Sequence, residues 1–467
     1  MTQSPARAAF YRAVWRWHFY AGLYVIPFFI MLATTGMAML WIAWLDGRDG
    51  ERHMVTPQAQ PLALSEQAES AQKAFPNGAL AQYIAPRSDD LAAIFRLNTD
   101  SGPMMAVIDP YNAEILEVFP RRSGWYDLMD NLHGSLLLGL TGDRMIEIAA
   151  SLGILLLVTG LYLWWPRDTS LLRALTPRVT GGGRGLWKSL HSVIGIYISL
   201  FLLFFLISGL AWAGVWGEKM IQAWSSFPVG KYDAIPLSDT THAEALNGGR
   251  KEVPWALEQT PMPASDAHAG HSHGSAPATA TPSGITAGPL PNLDQIDAFA
   301  RDIGFSGRYQ LNLPQGDTGV WTLSRNSMST DSLDPTSDRI THIDRYSGAV
   351  LADIRYGDYS LLGKAMAVGI ALHMGTLGLW SVLANTLICL SVLFLCLSGI
   401  ILWWKRRPTA SWQLSPPPLP RNMPHWPAAT GIVLLLGLAF PMAGITIALV
   451  LIWDALLRPR LLRRTLA

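Results

Sequence analysis

Apolar residues gather in four long runs, roughly 19–44, 145–165, 190–216 and 379–404. Each supplies the ~20 residues that a helix needs to cross a bilayer. A fifth run, about 428–453, is interrupted by Pro441. The first run is too long for the apolar part of a signal peptide and no A-x-A site follows it, so it reads as a retained span. Between the runs the periodicity changes. Residues 107–116 and 342–351 each read as strand, tight turn, strand, and helical patterns precede them near 65–75 and 293–303. Asn292, with Gln295 three residues on, is a capping pair for the second of these helices. The Pro/Ala/Gly-rich stretch near 228–292 reads mostly as loop. The predicted fold is an α-helical membrane protein, with a four-helix bundle core, a fifth C-terminal apolar segment and two small α+β domains.

The boundaries follow from the same pattern. Residues 10–44 form the first span and 45–127 the first α+β domain; 128–165 hold the second span and the segment leading into it. A loop at 166–188 precedes the third span at 189–216, and the second α+β domain occupies 217–365. The fourth span and its leading segment take 366–404, a loop 405–425, and the broken apolar segment 426–457. That last segment either crosses once or turns back at Pro441.

Charge orients these spans. Residues 1–17 carry three basic residues and no acid, 166–188 five against one, and 405–425 four against none. The two α+β segments are acidic, with 7 basic against 12 acidic residues in 45–127 and 11 against 17 in 217–365. The positive-inside rule therefore places the N-terminus in the cytoplasm and both α+β domains outside. Composition agrees. Of the 467 residues 50% are hydrophobic and 15% charged, well below the charge of a soluble domain. The mean hydropathy is +0.23. With 35 basic and 34 acidic residues there is no basic field, so nucleic acid is excluded as a partner and membrane lipid is expected. Cys389 and Cys396 lie about 10 Å apart on one helix, too far for a disulfide. Many of the 19 Trp sit at the ends of apolar runs, as in an aromatic belt.

The chain also repeats itself. His18-x3-Gly22-x-Tyr24 matches His191-x3-Gly195-x-Tyr197, and a glycine follows each His by eighteen residues, at Gly36 and Gly209. Eighteen residues are five helical turns, so these groups share a helix face. The second span of each half ends alike, at Gly160-x3-Trp164-Trp165 and Gly399-x3-Trp403-Trp404, and is preceded by Leu132-His133 or Leu372-His373. Four histidines thus occupy matched places. His18 and His191 fall near the cytoplasmic face, His133 and His373 near the outer face. Ionisable groups in a span are costly and functional by default. Two facing imidazoles suit the axial positions of a b-type haem. Gly22 and Gly195 would clear space for its plane. Two bis-His haems are expected, His18/His191 and His133/His373, with a single haem as the alternative. Another metal, a proton relay and simple interfacial anchoring stay open as other roles for these residues. Tyr24 and Tyr197 are candidates to line the gap between two haems.

One difficulty is length. His133 to Trp165 spans 32 residues, about 48 Å as one helix. A break is expected at Thr141–Arg144, putting His133 on a separate piece. A second histidine cluster, His268, His271 and His273, has spacing suited to Cu²⁺, Zn²⁺ or Ni²⁺ but sits in low-complexity sequence. His53, His242, His342 and His425 read as surface or loop residues. Gly181–Gly185 follows no strand and is no dinucleotide fingerprint, and no P-loop is present.

At Trp17-His18, Leu132-His133, Leu190-His191, Gly369–Gly375 with His373, Pro254–Gln259 and Trp403–Pro408, the chain resembles the PepSY-associated transmembrane family. The resemblance covers most of residues 10–407. It implies a bacterial inner-membrane protein with PepSY domains in the periplasm and a likeness to haem-containing ferri-siderophore reductases. It makes His18, His133, His191 and His373 the haem-ligand candidates. The expected activity is an oxidoreductase of the ferric-chelate reductase type, passing electrons from quinol or a cytoplasmic reductase to a periplasmic ferric chelate. Relatives with a fused flavin domain exist; this chain has none. The alternatives are a non-redox PepSY module that binds a partner, and a transporter of an iron chelate or copper.

Overall fold

The computed structural model describes residues 5–180, 182–223, 230–247, 253–265, 292–407, 417 and 426–456. In chain order the helices are α1 (Pro5–Leu45), α2 (Leu64–Ala74), α3 (Trp125–Ser135), α4 (Leu140–Trp164), α5 (Leu171–Ala174), α6 (Gly183–Leu210), α7 (His242–Asn247), α8 (Leu293–Asp302), α9 (Leu361–Met374), α10 (Leu379–Trp404), α11 (Pro427–Ala439) and α12 (Pro441–Leu456). The strands are β1 (Ala79–Ile84), β2 (Ala93–Thr99), β3 (Gly102–Ile108), β4 (Ile115–Pro120), β5 (Leu237–Thr241), β6 (Pro261–Pro263), β7 (Gln310–Asn312), β8 (Trp321–Arg325), β9 (Arg339–Ile343) and β10 (Val350–Arg355). The chain divides into a helical unit, Met1–Ala38 with Met129–Ile221 and Leu383–Ala467, and a sheet unit, Met39–Leu128 with Gln222–Val382.

Among the described residues, α1, α4, α6 and α10 are long and apolar enough to cross a membrane. Lipid cannot satisfy backbone polar groups, so such runs form helices that pair every interior N–H with their own carbonyls. In the helical unit α4 packs closely along α6. Gly153 makes this possible, since a Cβ there would stand 2.5 Å from Phe29 Cζ and 3.2 Å from Leu206 Cδ1.

The expected break before the second span exists, but earlier than Thr141–Arg144. Those four residues form the first turn of α4. The chain turns instead at Leu136, Leu137 and Gly139, all at positive φ (53°, 58° and 55°), a conformation that cannot continue a right-handed helix. The end of α3 then lies against the start of α4, where a Cβ on Gly142 would fall 1.7 Å from the Ser135 carbonyl oxygen. At the C-terminal end, α11 and α12 meet in a sharp turn at Pro441. Gly437 and Gly444 would be about 10 Å apart on one straight helix. Here a Cβ on Gly444 would sit 2.5 Å from the Gly437 carbonyl. Of the two forms expected for this segment, the folded-back one is present. Pro441 lacks the N–H that would continue α11.

In the sheet unit the two α+β repeats join edge to edge. The strand order is β10-β9-β8-β7-β1-β2-β3-β4, antiparallel throughout, and β1 pairs with β7 at the seam. The two predicted domains therefore share one sheet. Their turns repeat atom for atom. Asp109 N–H donates to Glu114 O and Asp344 N–H to Ala349 O, while Tyr111 and Tyr346 N–H each donate to the preceding Asp Oδ1. Both predicted helices form, as α2 and α8, and the Asn292–Gln295 capping box is complete. Their apolar sides (Leu64, Ala68 and Ala71; Ile296 and Ala300) cover Phe95, Leu97, Leu311 and Leu323 on one sheet face.

The other face is treated differently in the two repeats. Behind β1–β3 lies a small cluster of Ile84, Ile94 and Met105. Behind β9 and β10, residues of the 228–292 stretch pack as an apolar layer, with Tyr232, Leu246, Ala256, Leu257 and Met262 against Ile340, Ala352 and Ile354. That stretch is thus more than loop: it contains β5, α7 and β6. It also buries two histidines expected at the surface. His242 and His342 are both fully inaccessible. His342 alternates inward on β9 opposite Thr322, and the layer closes over it.

Candidate functional site

Three of the four matched histidines lie in the helical unit. His18 is on α1, His191 on α6 and His133 near the end of α3. Each points its Nδ1 at a hydroxyl on a neighbouring helix. His18 Nδ1 is 2.9 Å from Thr159 Oγ1, His191 Nδ1 is 2.8 Å from Ser398 Oγ and His133 Nδ1 is 2.9 Å from Thr35 Oγ1. His18 and His191 are near enough to interact electrostatically. His373 lies near the C-terminal end of α9, within the sheet unit as the chain divides.

The hydroxyls decide where the imidazole protons sit. A Ser or Thr hydroxyl has one hydrogen to give. Thr159 gives it to the Leu155 carbonyl at 2.7 Å and Thr35 to the Met31 carbonyl at 2.8 Å, one turn back on their own helices. Ser398 reaches the Leu395 carbonyl at 3.1 Å. With the hydrogen committed to a carbonyl, each oxygen is left as an acceptor, and this network assigns the proton of each ring to Nδ1. Nε2 then keeps its lone pair in His18, His133 and His191.

The glycine after each hydroxyl lets the ring sit close. A Cβ on Gly36 would be 3.2 Å from His133 Cε1, and one on Gly160 would be 3.4 Å from His18 Cε1. At Gly399 the corresponding distance to His191 Cε1 is 3.9 Å. The repeating unit is therefore a hydroxyl residue followed by glycine: Thr35-Gly36, Thr159-Gly160, Ser208-Gly209 and Ser398-Gly399. The sequence reading found the glycines and overlooked the residue before each. That dipeptide, repeated four times, was the available signal. Gly22 and Gly195 are roomier: a Cβ would stand 3.9 Å from Leu156 Cδ2 at the first and 3.8 Å from Leu395 Cδ2 at the second. Tyr24 and Tyr197 do not act alike: Tyr24 OH donates to Met145 O, and the exposed Tyr197 donates to Leu175 O.

A family profile for the PepSY-associated TM region matches residues 15–406. The chain belongs to the PepSY-associated TM family. No match was found among curated proteins. With its four apolar helices, this PepSY-associated TM protein is a multi-pass membrane protein.

The donor set fits the haem that the family resemblance implies. An axial imidazole must offer an unprotonated nitrogen, and its other N–H is commonly held by a partner that fixes the ring. His18, His133 and His191 meet both conditions. Among the described residues no group of three or more His, Cys, Asp or Glu side chains gathers as a metal site. Axial ligation of a haem needs only two such side chains. The cluster His268, His271 and His273 lies outside the described residues.

A second polar cluster in the helical unit was not foreseen. Glu147 on α4 is buried and accepts the backbone N–H of Trp216 at 2.9 Å and of Val215 at 3.2 Å. Arg144 bridges Glu147 and Asp143 at 3.3 Å and 2.6 Å. The carboxylate caps the start of the π-helix Trp216–Gln222, where N–H groups have no intrahelical acceptor.

Proposed function

We propose that this membrane protein is a b-type haem protein of the bacterial inner membrane that passes electrons outward to a ferric chelate such as a ferri-siderophore. The observation that carries the reading is the set of three duplicated histidines whose Nδ1 each faces a hydroxyl on a neighbouring helix, an arrangement that supports an Nδ1 proton and a lone pair on Nε2. A structural histidine in an apolar helix would satisfy both nitrogens or face the lipid headgroups.

When bound, haem would supply a one-electron carrier; His18 and His191 are the residues that would hold one such group, and His133 and His373 are the candidates to hold another. The protein's own residues do the rest. Thr159, Ser398 and Thr35 hold each ring in one tautomer and raise the basicity of Nε2 by accepting from the opposite nitrogen. Gly160 and Gly36 allow the rings to press against the neighbouring helices. The apolar spans keep water and other donors away. The N-terminus lies in the cytoplasm, electrons enter from quinol or a cytoplasmic reductase, and the PepSY sheet unit faces the periplasmic acceptor. Reduction would release the metal, because hard oxygen ligands hold Fe³⁺ far more tightly than Fe²⁺.

The test is a visible spectrum of the detergent-purified protein, oxidised and dithionite-reduced, with a pyridine-haemochrome count. Two low-spin b haems per chain support both pairs. Loss of one haem in His18→Ala and of the other in His133→Ala assigns them. A protein expressed with ample haem that binds none refutes the reading and leaves the non-redox, partner-binding one.

A further inference from the structure

The His18/His191 pair has charged neighbours that an axial role leaves unused. Arg406, just past the end of α10, lies back against α1, its Cζ 5.0 Å from the ring of Trp15 and 5.0 Å from that of Phe19. Trp15 lies one turn before His18 and Phe19 directly after it, so two cation–π contacts hold the guanidinium beside the turn that carries the histidine. The same helix α10 supplies Ser398, which faces His191 Nδ1 at 2.8 Å. Arg184 is near enough to Arg406 to repel it. It precedes His191 on α6 by two turns, about 10 Å along the same face.

Like charges brought together favour an anion between them. The surrounding chain supplies almost none: residues 1–17, 166–188 and 405–425 hold three, five and four basic residues, with Asp168 the single acid in their sequence. The duplication shows that the gathering is particular to this place. Arg167 follows Trp164-Trp165 in the first half as Arg406 follows Trp403-Trp404 in the second. It lies over Tyr11 and Tyr162 at 5.0 and 4.8 Å and donates to Tyr162 O at 2.9 Å. The residues of α6 that match Trp15 and Phe19 are Lys188 and Ser192, which offer Arg167 no aromatic slot beside His191. The second-half arginine therefore carries a placement that the repeat alone does not explain.

We propose that Arg406 and Arg184 are the carboxylate-binding end of the His18/His191 site and pair with the propionates of a haem held there. This deepens the haem reading and rests on it. A b-type haem carries two propionates on one edge of its ring, and in an apolar bundle those charges need cationic partners. A guanidinium meets a carboxylate through two parallel N–H donors. The Trp15 and Phe19 rings hold Arg406 in place beforehand, so pairing costs it little side-chain freedom. Arg184, exposed in the first turn of α6, takes the second carboxylate. Two cations gathered at one place also fix which edge of the ring faces them.

The test titrates full-length apo-protein in detergent, carrying His133→Ala so that one site remains, with haem b and with its dimethyl ester, whose carboxylates are capped. Haem b should bind at least tenfold more tightly than the ester. Arg406→Gln with Arg184→Gln should erase that preference while leaving affinity for the ester within twofold, which shows that the site is still folded. The bound haem b should also have a lower midpoint potential in the double variant, since the lost cations favoured the ferrous state. Arg184→Gln alone, at an exposed position, should remove part of the preference without disturbing packing. Equal affinity for the two compounds overturns the proposal and leaves the arginines to lipid headgroups, and so does a preference that survives the double variant. Binding of neither compound overturns the haem reading itself and this proposal with it.

Discussion

The buried pair His242–His342 makes a pH prediction whose size can be worked through. His242 Nδ1 is 2.7 Å from the Thr260 carbonyl, which only accepts, so the proton is there. His242 Nε2 must then accept, and it faces His342 Nε2 at 3.0 Å and Tyr232 OH at 3.3 Å. His342 Nδ1 lies 3.0 Å from Thr322 Oγ1. Both rings are satisfied only while neutral. A proton added to His242 would set two N–H groups against each other in a fully buried site. Burial accordingly lowers His242 from 6.5 to about 4, and burial with the neighbouring ring lowers His342 well below its usual value. The unfolded chain binds protons here below pH 6.5 and the folded chain does not, so stability is complete above that pH and falls as pH drops towards 4. At about 1.4 kcal/mol per unit, His242 alone accounts for about 3 kcal/mol across that window. Two buried carboxyls work in the opposite direction. Desolvation pushes Asp331 up to about 6 and Asp338 up to about 7, so the fold keeps protons that the unfolded chain would release. The raw pH profile therefore mixes signs, and the test compares the wild type with His242→Gln. Hydrogen exchange of β8 and β9 amides in the full-length protein, corrected for intrinsic rates, reads local stability from pH 4.5 to 8. The wild-type advantage should shrink by about 1.4 kcal/mol per unit below pH 6.5. A difference that stays flat with pH would refute the neutral-pair assignment.

Other expectations follow from single contacts. Thr159→Val removes the acceptor of His18 Nδ1–H, and outer partners of this kind are worth about 10–100-fold in ligand affinity; haem titration of the apo-protein should show that loss, with secondary structure intact. Gly142→Ala forces a Cβ onto the Ser135 carbonyl and should lower the thermal midpoint steeply, whereas Gly185→Ala on α6 meets nothing within 4 Å and should gain up to ~1 kcal/mol of helix stability. Glu147→Ala leaves the Val215 and Trp216 N–H groups unpaired at about 1–3 kcal/mol each, and accelerated proteolysis after Leu210 would report it. A cysteine at Ser101 in the first sheet repeat should react with an impermeant maleimide added to intact cells, and one at Ser170 only after lysis; the reverse would overturn the orientation drawn from charge.

The sequence by itself determined the elements whose signal is local or repeated. Apolar runs of span length give α1, α4, α6 and α10 because lipid leaves the backbone no other way to pair its polar groups. The helices α2 and α8 and the duplicated Asp turns follow from periodicity and from side chains that bond their own backbone. The four matched histidines were visible because duplication writes the pattern twice. What only the tertiary structure decided depends on which surfaces meet. The helix break moved from Thr141–Arg144 to Leu136–Gly139, since left-handed residues there are tolerated only because α3 and α4 pack tightly at Gly142. His242 and His342 carry no local mark of burial; they are buried because the insert happens to close over β9. The proton positions on His18, His133 and His191 likewise rest on hydroxyls at least 98 residues away in the chain. Their role appears only when a neighbouring helix brings an oxygen with a committed hydrogen within 3 Å. The joining of β1 to β7 into one sheet is of the same kind, because strand edges select their partners in space rather than along the sequence.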